Sequence, residues 1–281
     1  MSLKAENLEY KYNAGTALES YAIRGVNLEI GKGEFVGLIG RTGSGKSTLI
    51  QHFNGLLKPT GGRLLFEGED ISAKGYNLKA LRQKVGLVFQ YPEYQLFEET
   101  VIKDAAYGPK NKGVDDKTAM QMAHEALSLV GITQDLYNKS PFELSGGQKR
   151  RVAIAGVLAI RPEYLILDEP TAGLDPQGHE EILTLFKELH EKLGITIILV
   201  SHSMEDVARY AHRLLVMNRG KLEYDDTPRE VFKHLEELES MGLSAPQAVH
   251  IAHALRIAGY TVPQDTITVE ELAAALLNEL K

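Results

Sequence analysis

Residues 40–47 read Gly-Arg-Thr-Gly-Ser-Gly-Lys-Ser and fit the phosphate-binding pattern GxxxxGKS. The apolar run before them, from Glu34 to Ile39, predicts a short buried strand, and the run from Ser47 to Phe53 predicts the start of a helix. A glycine-rich turn in this setting points backbone N–H groups inward, where the positive end of the helix dipole adds to them. The stretch therefore predicts an α/β fold whose turn holds the β- and γ-phosphates of a nucleotide.

Each residue type in this turn suits a phosphate ligand. The glycines permit the close approach and unusual φ values that a Cβ would block. The Lys46 ammonium is predicted to reach the β- and γ-phosphates, and the Ser47 hydroxyl to ligate Mg²⁺. The alternative is an ordinary glycine-rich loop between a strand and a helix. The residues predicted to bind the nucleotide here are Gly40, Thr42, Gly43, Ser44, Gly45, Lys46, Ser47 and Thr48.

A second apolar run, from Tyr164 to Glu169, ends in two acids, as expected of a parallel strand that is buried on both faces. Ligands of open α/β sheets bind at the carboxyl ends of the strands. Asp168 is predicted to hold Mg²⁺ through water, and Glu169 to polarise the attacking water or accept its proton. Adjacent residues on a strand point to opposite faces, so the two acids can have different roles only if the strand ends at this point. Pro170 is predicted to end it. The alternative is a pair of solvent-facing acids.

A third run, from Ile195 to His202, predicts another buried strand that ends in a polar pair. Its position after two strands of a nucleotide site places His202 over the γ-phosphate. A histidine at a strand end is otherwise more often structural than catalytic.

Leu-Ser-Gly-Gly-Gln at 144–148 precedes a predicted helix from Lys149 to Ala159. In their order along the chain, this stretch, the phosphate loop and the polar strand ends resemble the motifs of the ATPase subunits of ATP-binding cassette (ABC) transporters. The resemblance covers roughly residues 1–225. It implies ATP and Mg²⁺ as cofactors and ATP hydrolysis as the activity.

The resemblance also implies an architecture: an α/β fold with a mostly parallel core sheet, an N-terminal antiparallel β subdomain and an inserted helical subdomain at about 91–160. Residues 1–225 would form the nucleotide-binding domain. Residues 226–281 would form a small helical extension that makes dimer contacts. Within the inserted region, Asp116 to Gly131 has helical periodicity, with Gly131 as a stop.

Further roles follow from the resemblance alone. Tyr12 would stack on adenine, although an aromatic residue in this strand could equally be packing. Gln90 would contact Mg²⁺ or the attacking water, act in catalysis and sense a membrane partner. Asp175 would cross a dimer interface. The residues that would complete the nucleotide site of a partner chain are Ser145, Gly146, Gly147 and Gln148. With one phosphate loop and one such stretch, the chain supplies half of each composite site and requires a dimer.

The segment from Gln90 to Phe97 carries apolar bulk where an exposed loop is expected, at Tyr91, Tyr94, Leu96 and Phe97. In this family that loop contacts a helix of the membrane subunit. The alternative is that these side chains pack back on the helical subdomain.

Composition limits the function classes. A net charge of −7 and a pI near 5.8 argue against nucleic acid as a partner, which normally selects a basic surface. The absence of cysteine excludes disulfides and thiolate metal sites. No run approaches the ~18 apolar residues of a membrane span, and the N-terminus lacks a signal segment. The chain is therefore expected to be soluble, and the resemblance implies a peripheral location at the cytoplasmic face of the membrane, through a partner.

Within the family, the chain resembles the ATPases of energy-coupling factor transporters, which import vitamins or transition-metal ions. The runs that carry this resemblance are 40–60, 89–97, 107–111 and 140–148. It implies a paralogous ATPase as partner, with a homodimer as the alternative, and most resembles the second ATPase of the pair. A transmembrane coupling subunit would contact about Gln90 to Phe97 and recruit substrate-binding membrane proteins. The alternatives are a conventional transporter with dedicated permeases and a cassette ATPase acting on DNA or ribosomes.

The C-terminal extension has helical apolar spacing in three segments, which begin at Pro228, Ala245 and Val269. Pro246 is predicted to lie in a first helical turn, where its missing N–H costs nothing. His250 and His253 are predicted to share a helix face rather than bind a metal. Three short helices bury little surface alone, so the extension should pack on the core or on its partner's copy.

Overall fold

The computed structural model describes residues 2–279, so the outermost positions of the two predicted domains, Met1, Leu280 and Lys281, lie outside the described residues. The chain divides into two compact units. The first unit comprises residues 1–52, 57–72 and 198–281, and the second comprises residues 53–56 and 73–197. The two domain boundaries expected from the sequence stay a prediction.

The described strands are β1 (Ser2–Tyr12), β2 (Ser20–Gly31), β3 (Phe35–Ile39), β4 (Gly61–Phe66), β5 (Glu69–Asp70), β6 (Val85–Val88), β7 (Tyr164–Asp168), β8 (Thr196–Val200), β9 (Arg213–Asn218) and β10 (Lys221–Asp226). The described α-helices are α1 (Lys46–Phe53), α2 (Leu78–Lys84), α3 (Val101–Lys112), α4 (Asp116–Leu129), α5 (Gly146–Leu158), α6 (Pro176–Leu193), α7 (Met204–Tyr210), α8 (Pro228–Val231), α9 (Leu235–Ser240), α10 (Gln247–Ile257) and α11 (Val269–Glu279).

The first unit contains an antiparallel sheet with the strand order β2-β1-β4-β5. From Val26 onward alternate residues of β2 are buried, namely Val26, Leu28 and Ile30, which is typical of a sheet with one solvated face. A second set of strands in this unit follows the order β10-β9-β3-β8. Every residue of β3 is buried, and it pairs with β9 in parallel. The predicted strand before the phosphate loop and the predicted antiparallel N-terminal sheet are both confirmed.

The second unit contains β6 and β7, which pair in parallel. Its helices include α3, α4 and α5, so the predicted helical insertion is confirmed. Helix α4 ends as predicted, because Gly131 adopts a left-handed φ of 77° just beyond it. Residues 145–148 open helix α5 as predicted, with Ser145 as its N-cap, so the helix begins at Gly146, three residues before the predicted range of 149–159.

The described part of the C-terminal extension contains four helices rather than the predicted three, since α9 begins where the predicted segment from Pro228 ends. Pro246 is the N-cap of α10 and is extended, with ψ of 145°, so its predicted place inside the first turn is wrong. Helices α10 and α11 share a small apolar core that includes Ala252 and Leu272. The Gln247 N–H donates to Glu205 of α7, so α10 packs within the first unit. Among residues 2–279, no helix is long and apolar enough to span a membrane.

Candidate nucleotide site

The phosphate loop is a cradle with no room for side chains at two of its glycines. A Cβ on Gly40 would lie 2.4 Å from the Met217 carbonyl oxygen. A Cβ on Gly45, whose φ is 107°, would lie 2.5 Å from the Ala22 carbonyl oxygen. The backbone of this turn therefore approaches its neighbours closely and follows a path open only to glycine. Such a glycine-walled turn at the start of α1 fits a phosphate ligand.

Lys46 is the first residue of α1, and its side chain lies along the loop that precedes it. Lys46 is 6% exposed. Its Nζ donates hydrogen bonds to the carbonyl oxygens of Gly40, at 2.6 Å, and Arg41, at 3.2 Å. The Ser44 carbonyl oxygen accepts a hydrogen bond from Gly220 N at 2.9 Å. The buried ammonium and the turn after β9 thus hold the loop in shape. Thr42, Gly43 and Ser47 are exposed on it.

Tyr12 lies beside the helix that follows the phosphate loop. Its hydroxyl and Thr48 Oγ1 are 3.0 Å apart, and 41% of the residue is exposed. The ring of Tyr10 meets it edge-on, with centroids 5.0 Å apart, and also contacts His52, with centroids 4.9 Å apart. The structure therefore brings Tyr12 and Thr48 together and leaves part of the Tyr12 ring open to a ligand.

His52 is a buried residue of α1 that the sequence did not single out. Its Nδ1 and the Thr48 carbonyl oxygen are 2.7 Å apart. Burial lowers the pKa of His52, since the interior disfavours the imidazolium, although hydrogen bonds to backbone oppose the shift. At neutral pH the ring is therefore uncharged and donates its Nδ1–H to Thr48. The sequence signal that could have revealed this residue is its position four residues, or one helical turn, after Thr48 in α1.

Glu169 and Gln90 are joined directly in the second unit. Strand β7 ends at Asp168, and Glu169 follows it with a left-handed φ of 50°. Gln90 Nε2 donates to Glu169 Oε2 at 3.0 Å. Because Glu169 has left the strand, it is not bound by the strand's alternation, and the two acids can point in independent directions.

Three oxygen-bearing residues were predicted to hold Mg²⁺: Ser47, Gln90 and Asp168. Hydroxyl, carboxamide and carboxylate oxygens are the donors this hard cation prefers. Within residues 2–279, no group of three or more His, Cys, Asp or Glu side chains is placed to hold a metal ion. In proteins Mg²⁺ is usually held by one or two carboxylates together with substrate phosphates, and the donor types of these residues are of that kind, so the Mg²⁺ ligands stay a prediction.

His202 and Asp175 both lie at the starts of helices. His202 is exposed, two residues beyond β8 and just before Ser203, the N-cap of α7. Asp175 is the N-cap of α6, and its Oδ1 accepts a hydrogen bond from Gly178 N at 2.8 Å. Asp175 therefore has a structural role whatever else it contacts.

Residues 145–148 form the exposed start of α5. Ser145 and Gln148 make a reciprocal capping box: Gln148 N donates to Ser145 Oγ at 3.3 Å, and Ser145 N donates to Gln148 Oε1 at 3.0 Å. A Cβ on Gly146 or Gly147 would meet nothing within 4 Å. The positive end of this helix is thus presented on an open surface of the second unit.

The segment after Gln90 is exposed only in part. Tyr94 and Phe97 are 84% and 57% exposed, whereas Leu96 is 6% exposed, so its predicted exposure is wrong. The segment forms a 3₁₀ turn over Pro92–Gln95 instead of an open loop, and this turn directs Leu96 inward. A mainly apolar cavity of about 560 Å³ lies beside it, with a lining that includes Phe97, Tyr107 and Ile160.

Arg150 of α5 is a buried charge that the sequence did not single out. Its Nη2 and Nε donate to the Glu93 carboxylate at 2.7 and 3.0 Å. Its Nη1 donates to the carbonyl oxygens of Pro170, at 3.3 Å, and Ala172, at 2.7 Å. The partners are 57, 20 and 22 residues away along the chain, so no local pattern reveals them.

Comparison with known proteins shows the family to which the chain belongs. The family model described as "ABC transporter" matches residues 23–172. An energy-coupling factor transporter ATP-binding protein EcfA2 from Caldanaerobacter subterraneus subsp. tengcongensis is 56% identical, covering 100% of this chain and 98% of the relative. The protein of the same name from Clostridium tetani is 55% identical, covering 99% of this chain and 96% of the relative.

Two solved structures share the fold. One is cbiO1 from Clostridium perfringens, part of the ABC transporter complex cbiONQ, at 41% identity and a TM-score of 0.75, covering 90% of this chain and 98% of that chain. Another is a dimeric ATP-binding cassette in a post-hydrolysis state with ADP and phosphate. It has 31% identity and a TM-score of 0.72, covering 80% of this chain and 98% of that chain. The chain therefore belongs to the ABC transporter family and, within it, to the ATP-binding proteins of energy-coupling factor transporters.

Proposed function

We propose that this chain binds and hydrolyses ATP to power an energy-coupling factor importer of vitamins or transition-metal ions. The hydrogen bond between Gln90 and Glu169 carries the catalytic part of the proposal. It fixes a carboxylate at the carboxyl end of a buried strand, where α/β sheets act on their ligands. The similarity to EcfA2 proteins along the whole chain supports the transporter class.

Substrate binding is assigned to the first unit. The Tyr12 ring stacks on adenine, and the backbone N–H groups of residues 40–48 bind the β- and γ-phosphates. The Lys46 ammonium neutralises phosphate charge, which requires it to exchange a loop carbonyl for a phosphate oxygen. His202 contacts the γ-phosphate. The residues proposed to hold Mg²⁺ are Ser47, Gln90 and Asp168, and the ion, when bound, neutralises charge on the phosphates.

Glu169 is proposed to act on the water that attacks the γ-phosphorus. Its carboxylate accepts a hydrogen bond from that water and polarises it, while the Gln90 amide keeps the carboxylate in place. The reaction forms the bond between the water oxygen and phosphorus and breaks the bond to the leaving ADP oxygen. Little covalent chemistry is asked of the protein, so positioning and charge neutralisation supply most of the rate.

A second cassette is proposed to complete each nucleotide site. Ser145, Gly146, Gly147 and Gln148 present the positive end of α5 to a γ-phosphate bound by another chain, and Asp175 lies at the same interface. The dimeric cassette with which this chain shares its fold supports an assembly of two ATPases. We favour a paralogous ATPase as the partner over a second copy of this chain.

A membrane subunit is proposed to contact the segment from Gln90 to Phe97. Tyr94 and Phe97 are exposed aromatic side chains of this segment, and Phe97 also lines the apolar cavity of about 560 Å³, which a helix end of a coupling subunit would fill. This contact places the chain at the cytoplasmic face of the membrane as a peripheral subunit. Substrate-binding membrane proteins join through the coupling subunit.

The deciding experiment is a native pull-down of the tagged chain from detergent-solubilised membranes of its host, with partners identified by mass spectrometry. We expect a paralogous ATPase, one multi-span coupling protein and several small membrane proteins. A single dedicated permease pair would indicate a conventional transporter. Exclusively soluble partners, such as ribosomes or DNA-bound proteins, would overturn the transport function.

A further inference from the structure

Arg150 joins three parts of the second unit through a single side chain. It belongs to α5, its guanidinium binds Glu93 in the segment proposed to contact the membrane subunit, and it binds the turn that follows Glu169. The side chains of Arg150 and Glu93 are 3% and 16% exposed. Because so little water reaches the pair, the interaction is weakly screened and directional.

These contacts close a ring around the catalytic carboxylate. Starting from Glu169, the ring passes through its hydrogen bond to Gln90, along the chain to Glu93, across to Arg150 and back through Pro170. A chain of covalent and hydrogen bonds therefore connects Glu169 to Arg150 by two separate routes. If the residues along either route move, the Glu169 carboxylate must move with them or a hydrogen bond must break.

Two residues of this ring have backbone conformations that need support. Tyr91 and Glu169 have left-handed φ values of 56° and 50°, which side chains other than glycine rarely adopt. Such conformations persist only where surrounding contacts determine them. Arg150 supplies such contacts for both residues. Its hydrogen bonds to the carbonyl oxygens of Pro170 and Ala172 hold the turn after Glu169. Its ion pair with Glu93 holds the segment after Tyr91.

We propose that Arg150 is a positioning residue for Glu169, and that its pairing with Glu93 makes hydrolysis respond to the segment that contacts the membrane subunit. The proposal rests on the proposed function, since it assigns Glu169 to hydrolysis. Arg150 also belongs to the helix whose first turn faces the partner's nucleotide. One guanidinium thus links the membrane contact, the partner's site and this chain's own catalytic carboxylate.

The test uses the chain within the assembly recovered from its host membrane. Removing one member of a buried ion pair risks unfolding, so the principal variant is the double substitution Arg150→Met with Glu93→Gln, which leaves no orphan charge. Its matched control is Arg151→Met with Glu181→Gln. Arg151 is the next residue of α5, and its ion pair with Glu181 of α6 lies nearer the surface. Arg150→Lys is the conservative variant.

We expect the double variant to lower kcat for ATP hydrolysis at least tenfold while KM and ATP affinity stay within twofold. Arg150→Lys should recover part of the rate, and the control pair should behave as the native chain. Hydrogen exchange should rise in residues 90–97 and 169–173 and stay unchanged in α4. A general loss of stability would instead raise exchange in α4 as well.

The proposal is overturned if the double variant matches its control, or if it lowers ATP affinity as much as kcat. These outcomes are separable from failure of the proposed function. If the native assembly hydrolyses ATP and Glu169→Gln abolishes this, only the role of Arg150 falls. If the native assembly does not hydrolyse ATP, the proposed function falls and the role of Arg150 falls with it.

Discussion

Glu169 combines a left-handed backbone with a carboxylate that accepts a hydrogen bond from an amide 79 residues earlier in the chain. The conformation turns the chain out of β7 at the point where chemistry is proposed. Backbone strain of this kind costs of order 1–3 kcal/mol and is retained where the surrounding structure enforces it. We expect the carboxylate itself, rather than the fold around it, to be the sensitive feature.

Glu169→Gln should separate hydrolysis from ATP binding. The substitution keeps the shape of the side chain but removes the charge that polarises the attacking water, so kcat should fall by roughly 10²–10⁴-fold. ATP affinity should change little, because the phosphates are held elsewhere. Phosphate release and equilibrium ATP binding measure the two effects. Glu188→Gln, at an exposed ion pair of α6, is the control, and equal loss of binding and rate in Glu169→Gln would contradict the assignment.

His52 should make the free energy of unfolding fall as the solution becomes mildly acidic. Its pKa is lowered in the folded chain, so below the ordinary histidine pKa of ~6.5 the unfolded state binds a proton that the folded state resists. Stability from this group is therefore complete above that pH and falls as the pH drops, by at most about 1.4 kcal/mol per pH unit. Urea midpoints between pH 7.5 and 5.5 should show a steeper decline for the native chain than for His52→Gln. Parallel curves would contradict this.

At the scale of elements, several helices begin at residues that also belong to the proposed site. Ser145 caps α5 and Asp175 caps α6, so each position supports its helix and faces a proposed partner. A loss of activity on substitution is therefore ambiguous unless the cap is preserved. The capping preferences of Asn and Asp are nearly equal, which offers a way to separate the two effects.

Asp175 can be tested with a pair of variants. Asp175→Ala should lower the free energy of unfolding by about 1 kcal/mol, because Gly178 N loses its acceptor. Asp175→Asn should keep most of that stability. If the carboxylate acts at the dimer interface, Asp175→Asn should still slow hydrolysis by the assembly. Chemical denaturation and steady-state hydrolysis measure the two outcomes, and full activity in Asp175→Asn would leave Asp175 as a cap alone.

At the scale of the whole molecule, one chain supplies two different halves of two sites. Lys46 serves the nucleotide that the chain itself binds, whereas Ser145 serves one bound by a partner. Damage at these positions should therefore have different consequences for an isolated chain and for the assembly. The distinction does not depend on which ATPase is the partner.

Gly147→Arg, which keeps the Ser145 cap, should leave ATP binding to the isolated chain unchanged and abolish hydrolysis at the site that the start of α5 completes. Lys46→Ala should weaken ATP binding to the isolated chain itself, since the phosphates lose their nearest charge. Calorimetric titration of each variant with ATP, followed by hydrolysis measurements in the assembly, separates the cases. A weaker ATP affinity of isolated Gly147→Arg would contradict a role in the partner's site.

The sequence predicted most of this architecture where apolar runs and glycine-rich turns carry local information. The strand before the phosphate loop, the strand that ends at Asp168 and the stop at Gly131 were all readable from short windows. Contacts between distant positions were not readable. Arg150 is charged in a helix that otherwise reads as half-buried, and only the fold shows that Glu93 neutralises it. Leu96 was misjudged because a 3₁₀ turn over the preceding residues changes which side chains face inward.

The turn at Gly242 lies against the phosphate loop's own Arg41: a Cβ there would stand 2.7 Å from Arg41 Cδ. A side chain at position 242 would therefore have to displace the Arg41 side chain of the phosphate loop. By thermodynamic reciprocity, if a molecule that binds the C-terminal extension changes ATP affinity by a certain factor, ATP changes the affinity for that molecule by the same factor. A subunit that bound the extension in this way would report how full the nucleotide site is.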